Sequence, residues 1–265
     1  MEYFFQVLIG QKLIVGRDVS SRYTRRNINE YTKIADYIRK MVTSRHGRYM
    51  IFFPSYSYMQ SVYDIYIKKY ENTILELSAA LNDENINDEN TAKKGQEQQR
   101  EYEGKAVYNI IKQPSNMKEA DKESFLSLFA ENEKTDIAGF CVLGGIFSEG
   151  IDLRGDALIG VAVVGTGIPM VCRQRNILRD YFDSHGRNGY QYAYVYPGMN
   201  KVLQAAGRVI RTDNDKGIIL LLDDRFLTKE YELQYPREWD KIYPCDAGCV
   251  SEYIDDFWKG MTADD

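Results

Sequence analysis

Two kinds of apolar pattern alternate along the chain. Short, nearly uninterrupted runs occupy residues 49–53 (YMIFF), 107–112 (VYNIIK), 137–143 (IAGFCVL), 158–165 (LIGVAVVG) and 217–222 (GIILLL). Runs of this length predict strands buried on both faces, as in a parallel sheet. A further strand is expected near 191–196. Between the runs, apolar residues recur every three or four positions, which predicts helices over 31–42, 56–70, 118–132 and 170–183. Strands alternating with helices predict an α/β fold: a mostly parallel sheet with helices on both faces, and one domain over residues 1–265. Residues 82–104 interrupt the pattern with an acidic stretch almost devoid of apolar side chains. It cannot contribute much core and is read as a flexible exposed insertion, a polar charged helix being the alternative.

The stretch QAAGRVIRTDNDKGIILLLDDRF (204–226) carries the most informative pattern. A helix advances about 100° per residue, so Lys201, Gln204, Gly207, Arg208 and Arg211 share one side and Val202, Leu203, Ala205, Ala206, Val209 and Ile210 the other. Asn200, after the Pro197–Gly198 break, is the expected N-cap. Two arginines alone fit an amphipathic surface helix with solvated charges. The Gln-x-x-Gly-Arg-x-x-Arg spacing fits a polyphosphate better, since it sets two planar guanidiniums one turn apart.

The net charge of −5 argues against a broadly basic nucleic-acid coat but leaves room for a local groove. Positive charge concentrates in SSRYTRR (20–26) and CRQRNILR (172–179), and twenty-one tyrosines supply stacking surfaces. A solvated face is the simpler account of each cluster. No run approaches a membrane span and the N-terminus shows no secretory leader, so a cytoplasmic protein with no membrane partner is expected. Cys141 lies in an apolar run and is expected in the core. Cys245 and Cys249 have no histidine nearby, so no metal site is expected.

Ligands of open parallel sheets bind beyond the carboxyl ends of the strands, and three stretches are expected there. FFPSYS (52–57) puts Ser55 and Tyr56 at a helix start, where backbone N–H groups can hold a phosphate. GGIFSEGIDLRG (144–155) combines glycines that permit close backbone approach with Glu149 and Asp152. The third is the arginine helix.

In this order, FFPSY, GGIFSEGIDLRGDALIGVAVVG and QAAGRVIR resemble motifs IV, V and VI of superfamily 2 DNA helicases, and in particular the XPD/DinG group. The resemblance runs from about SSRYTRR through LLLDDRF to YPREW (235–239), leaving the acidic 82–104 stretch unlike the family. It implies the second RecA-like motor domain of such an enzyme. No Gly-x-x-x-x-Gly-Lys-Ser/Thr phosphate loop occurs, and the cluster-binding cysteines of many relatives, which belong to their N-terminal half, are missing too. Asp223 and Asp224 therefore read as structural, capping the strand end or pairing with Arg225. The chain looks like part of a longer helicase or one subunit of a split motor.

The resemblance further implies that ATP and Mg²⁺ are shared with an N-terminal RecA-like domain of the same protein. Arg208 and Arg211 would reach across the cleft, Arg211 as arginine finger, with Gln204 sensing nucleotide and Gly207 allowing close approach. Asp152 would tie its loop to nucleotide and arginines, Glu149 and Gly150 would shape that loop, and Ser55 and Tyr56 would touch the DNA backbone. The implied substrate is single-stranded DNA or a forked duplex, tracked from 5′ to 3′. This chain alone would not hydrolyse ATP. The rival reading is a non-catalytic nucleotide- or nucleic-acid-binding α/β module, for which glycine turns and buried strands would suffice.

Overall fold

The computed structural model describes residues 10–71, 109–117, 119–130, 136–145, 147, 158–209 and 215–262. Seven strands form one sheet: β1 (Gln11–Gly16), β2 (Arg48–Phe53), β3 (Asn109–Lys112), β4 (Ile137–Val142), β5 (Gly160–Val164), β6 (Gly217–Leu222) and β7 (Ile242–Cys245). Their order is β3-β4-β2-β5-β6-β1-β7, and every neighbouring pair is parallel. All residues of β2, β4, β5 and β6 are buried.

Side chains alternate across each strand, so each face has its own core. Ile14, Tyr49, Ile51, Phe53, Ile218 and Leu220 face α1 (Ile28–Val42), α2 (Tyr56–Tyr66) and the C-terminal helix Val250–Thr262, meeting Ile34, Met59 and Ile254. Leu13, Val15, Met50, Phe52, Ile219 and Leu221 face the opposite side. There they meet Phe125 and Phe129 of α3 (Glu119–Ala130) and Met199 and Val202 of α5 (Tyr196–Ala206). Between them in sequence lies α4 (Arg173–Ser184), none of whose residues is buried. No helix among the described residues is long and apolar enough to cross a membrane.

The expected strands at 107–112, 137–143 and 158–165 appear within a residue or two of their bounds. The strand expected near 191–196 does not form. Residues Gln191–Val195 are a π-helical turn running straight into α5. The alternating Tyr-Ala-Tyr-Val-Tyr run imitates a strand, yet the tyrosines pair at helical spacing: Tyr190 on Tyr194 at 5.3 Å and Tyr192 on Tyr196 at 5.0 Å. A short apolar run has no decisive period of its own. Pro197 and Gly198 consequently lie inside the first turn of α5, and Asn200 is a helical residue rather than the expected cap. The wide π turn precedes a proline that cannot donate an N–H and would clash with a tight preceding turn. The acidic stretch 82–104 lies outside the described residues.

Candidate nucleotide and nucleic-acid interface

Ser55 stands where β2 ends, in extended conformation, and caps α2 by accepting a 3.3 Å hydrogen bond from the Tyr58 amide. Tyr56 opens that helix, and its hydroxyl accepts a 2.6 Å hydrogen bond from Gln113 Nε2. Gln113 is almost wholly buried just past β3, and its Oε1 accepts from the Val142 amide at the end of β4 at 2.8 Å. One glutamine thus fixes three strand ends around the tyrosine. Burial pushes the Tyr56 hydroxyl pKa up, and nearby Cys141 adds to this against the opposing Gln113 hydrogen bond.

Beside this corner the loops after β1, β5 and β6 converge. Asp223 is fully buried. Its carboxylate accepts from the Ser21 amide at 2.8 Å, the Ser21 hydroxyl at 2.7 Å, and Arg225 Nε and Nη2 at 2.8 Å each. Burial opposes the charge on Asp223, but Arg225 and Ser21 outweigh it and hold the carboxyl below the usual carboxylate range. Asp223 also caps the 3-10 turn that follows, and Arg22 contacts both Asp224 oxygens at 2.9 and 2.8 Å. Asp223 thus pairs with Arg225, as expected, while Asp224 pairs with Arg22. Gly165, at φ +80°, lies against Ser21, whose Oγ would be 2.5 Å from an added Cβ.

The arginine helix is placed differently from the expectation. Because α5 links two parallel strands, it runs back from the carboxyl to the amino end of the sheet. Its first turn presses Gly198 onto the β5 loop, where a Cβ would fall 2.7 Å from the Thr166 carbonyl oxygen. Its far end brings Val209 against Gly217, the first residue of β6. Ser55, Tyr56 and Gly144 therefore lie at the carboxyl ends, whereas Gln204, Gly207 and Arg208 lie further back along the helix. The shared face also divides. Gln204 and Gly207 are exposed and Lys201 is half-buried, but Arg208 is buried and its Nη2 donates to the Phe147 carbonyl. The helix ends at Ala206, and the following turn, with Arg208 N–H to Ala205 O at 3.3 Å and Val209 N–H to Ala206 O at 3.2 Å, carries Arg208 inward.

This geometry joins two of the sequence motifs. Gly144, at φ +74°, lies under Lys201, whose Cδ and Cε would be 2.8 Å from a Cβ there, and Arg208 binds Phe147. Burial pulls the Lys201 pKa down, helped by the positive charge of Arg175. Glu149, Gly150, Asp152 and Arg211 lie outside the described residues. Sequence reasoning missed Gln113 and the Ser21 contact, whose roles depend on partners distant in the chain.

A parallel sheet covered on both faces, with motif-bearing loops at its strand ends, is the RecA-like α/β arrangement. Residues 38–242 match the helicase C-terminal domain family, and the chain belongs to it. A regulator of telomere elongation helicase 1 homolog from Oryza sativa is 30% identical over 196 residues, 70% of this chain and 17% of that protein. The ATP-dependent DNA helicase XPD of Sulfolobus acidocaldarius is 26% identical over 217 residues, 80% of this chain and 31% of that protein. An apo XPD structure superposes with a TM-score of 0.60 at 21% identity, covering 89% of this chain and 40% of that one. The expected XPD/DinG kinship stands, and the chain spans less than a third of the length of these curated relatives.

Proposed function

We propose that this chain is the second motor domain of an ATP-dependent DNA helicase. In this reading it couples ATP hydrolysis to 5′-to-3′ movement on single-stranded DNA and to duplex unwinding. The observation that carries the proposal is the seam between the segment after β4 and α5, where Lys201 covers Gly144 and Arg208 holds Phe147. A shift of α5 against a nucleotide would thereby reach the strand ends that carry Ser55 and Tyr56.

The residues present fit one wall of a polyphosphate site. Exposed Gln204 and Gly207, with Arg211 four residues further in sequence, offer a hydrogen-bonding side chain, an open backbone and a guanidinium. ATP, with Mg²⁺, supplies the phosphoryl group whose transfer drives the motor. Gln204 would contact the nucleotide, and Arg211 would stabilise charge on the γ-phosphoryl oxygens. Arg208 would act from behind as a tether of the segment after β4 through Phe147, and Glu149, Gly150 and Asp152 follow that residue in sequence. The phosphate loop and magnesium ligands would come from an N-terminal RecA-like domain.

The test is strand displacement by the complete motor on duplexes with a 5′ or a 3′ single-stranded tail, alongside DNA-stimulated ATP turnover. Unwinding of the 5′-tailed duplex with ATP consumption is expected. DNA binding without turnover would favour the non-catalytic module instead.

A further inference from the structure

We infer that Tyr23 is a base-stacking platform that extends the single-strand path beyond Ser55 and Tyr56. The inference rests on the nucleic-acid reading above. Tyr23 opens a 3-10 turn, Tyr23–Arg25, and is 84% exposed. Its ring contributes almost nothing to the core, yet the turn beneath it is clamped on both sides. Arg22 is fastened to Asp224 at 2.8 Å, and Arg25 Nη2 to the nearly buried Glu30 at 2.9 Å. Glu30 also accepts from the Ser20 amide, and the neighbouring Ser21 is locked to Asp223. Clamping the turn that carries an exposed aromatic adds little to folding, but it lowers the entropy cost of ordering that segment on a flat ligand.

The turn also stands in the right place. The Arg26 guanidinium lies 5.5 Å from the Tyr23 ring centroid and 5.2 Å from that of Tyr58. The Tyr58 amide is the donor to Ser55 Oγ. An added Cβ at Gly165 would lie 2.5 Å from Ser21 Oγ and 3.8 Å from Pro54, so the two loops flank one glycine. Exposed Tyr23 and Arg26 are thereby joined to Ser55 along the carboxyl edge through Tyr58, which is itself buried beneath them. With Arg22 and Arg25 matched by acidic partners, this edge offers an aromatic face rather than excess charge. Such a face takes an unpaired base of any sequence.

The experiment is a fluorescence-anisotropy titration of this chain with a labelled oligothymidylate at low salt, using wild type, Tyr23→Ala, Tyr23→Phe and Ser55→Ala. Tyr23→Ala is expected to bind about 5- to 150-fold more weakly, the range measured for loss of one stacked base. Tyr23→Phe keeps the ring and is expected to bind like wild type. The Tyr23 ring is exposed, so melting curves of the two variants should coincide with wild type. Equal binding by wild type and Tyr23→Ala, with Ser55→Ala weakened, overturns the platform and leaves the groove reading intact. No binding by wild type overturns both.

Discussion

Asp223 sits where three loops meet; its carboxylate accepts five hydrogen bonds, and the two from Ser21 hold the loop after β1 to the end of β6. Asp223→Asn keeps the shape but removes the charge that offsets the burial of Arg225. Breaking one side of a buried pair costs about 3–5 kcal/mol, so urea unfolding at pH 7 should show a loss of that order. The pH dependence follows from the depressed Asp223 pKa. The unfolded carboxyl titrates near an ordinary pKa of about 3.9, so the charged form stabilises the fold above that pH. That stabilisation drains away as the pH falls through the lower, folded value. The gap between wild type and Asp223→Asn should therefore narrow below about pH 4, and a constant gap across the acid range would contradict this origin. At the proposed nucleotide wall the sizes differ. In the complete motor Arg211→Ala should slow single-turnover hydrolysis by roughly 10³- to 10⁵-fold while ATP binding persists. Arg211→Lys should restore little, because an ammonium lacks the planar fork. A rate within about threefold of wild type would leave an ordinary surface ion pair, worth about 0–1 kcal/mol.

At the scale of elements, the join between α5 and the β5 loop is backbone against backbone. A Cβ on Gly198 would fall 2.7 Å from the Thr166 oxygen and 3.0 Å from the Ile168 nitrogen, with no flexible side chain to yield. Gly198→Ala should cost about 1–3 kcal/mol of stability, as overpacking does. It should also lift the start of α5, which chemical denaturation and altered proteolysis near 166–198 would report. Strands β2, β4, β5 and β6 were legible because burial on both faces leaves an uninterrupted apolar run, whereas β1, inside the sheet but opening on two half-buried residues, was not among the expected strands. The edge strand β7 was not: it is four residues long, only Cys245 is buried, and it contains Pro244, tolerated where no neighbour needs its N–H. The C-terminal helix was not among the expected helices, although Val250, Ile254, Phe257 and Trp258 recur at helical spacing and pack on the sheet. Likewise α1 begins at Ile28 rather than Tyr31, because the Asn27 side chain accepts from the Glu30 amide and starts the helix on an exposed turn. The Ser55 cap was visible as a polar residue after a strand. The orientation of Arg208 was not, since a helical wheel ceases to apply once the helix unwinds after Ala206.

For the whole molecule, a net charge of −5 and a groove with one wall set the expected behaviour. The strip from Tyr23 to Ser55 gives a single strand a stacking face but few cations, so only two or three phosphates would be neutralised. For single strands each such contact contributes about −0.7 to the slope of log affinity against log salt. Raising salt from about 50 to about 200 mM should then weaken oligothymidylate binding by about 7- to 20-fold. Changing the base sequence should matter little, since stacking accepts every base. Tight binding that survives several hundred millimolar salt would require a second wall within this chain. The same incompleteness governs turnover. The sequence contains no phosphate-loop motif to cradle the β- and γ-phosphates, and Asp223 and Asp224, which superficially resemble magnesium ligands, are consumed by Ser21, Arg22 and Arg225. The purified 265-residue chain should therefore show no DNA-stimulated ATP hydrolysis, whereas adding a domain that carries the phosphate loop should restore it. Hydrolysis by the chain alone that disappeared with Arg211→Ala would place a complete nucleotide site within it and displace the two-domain reading.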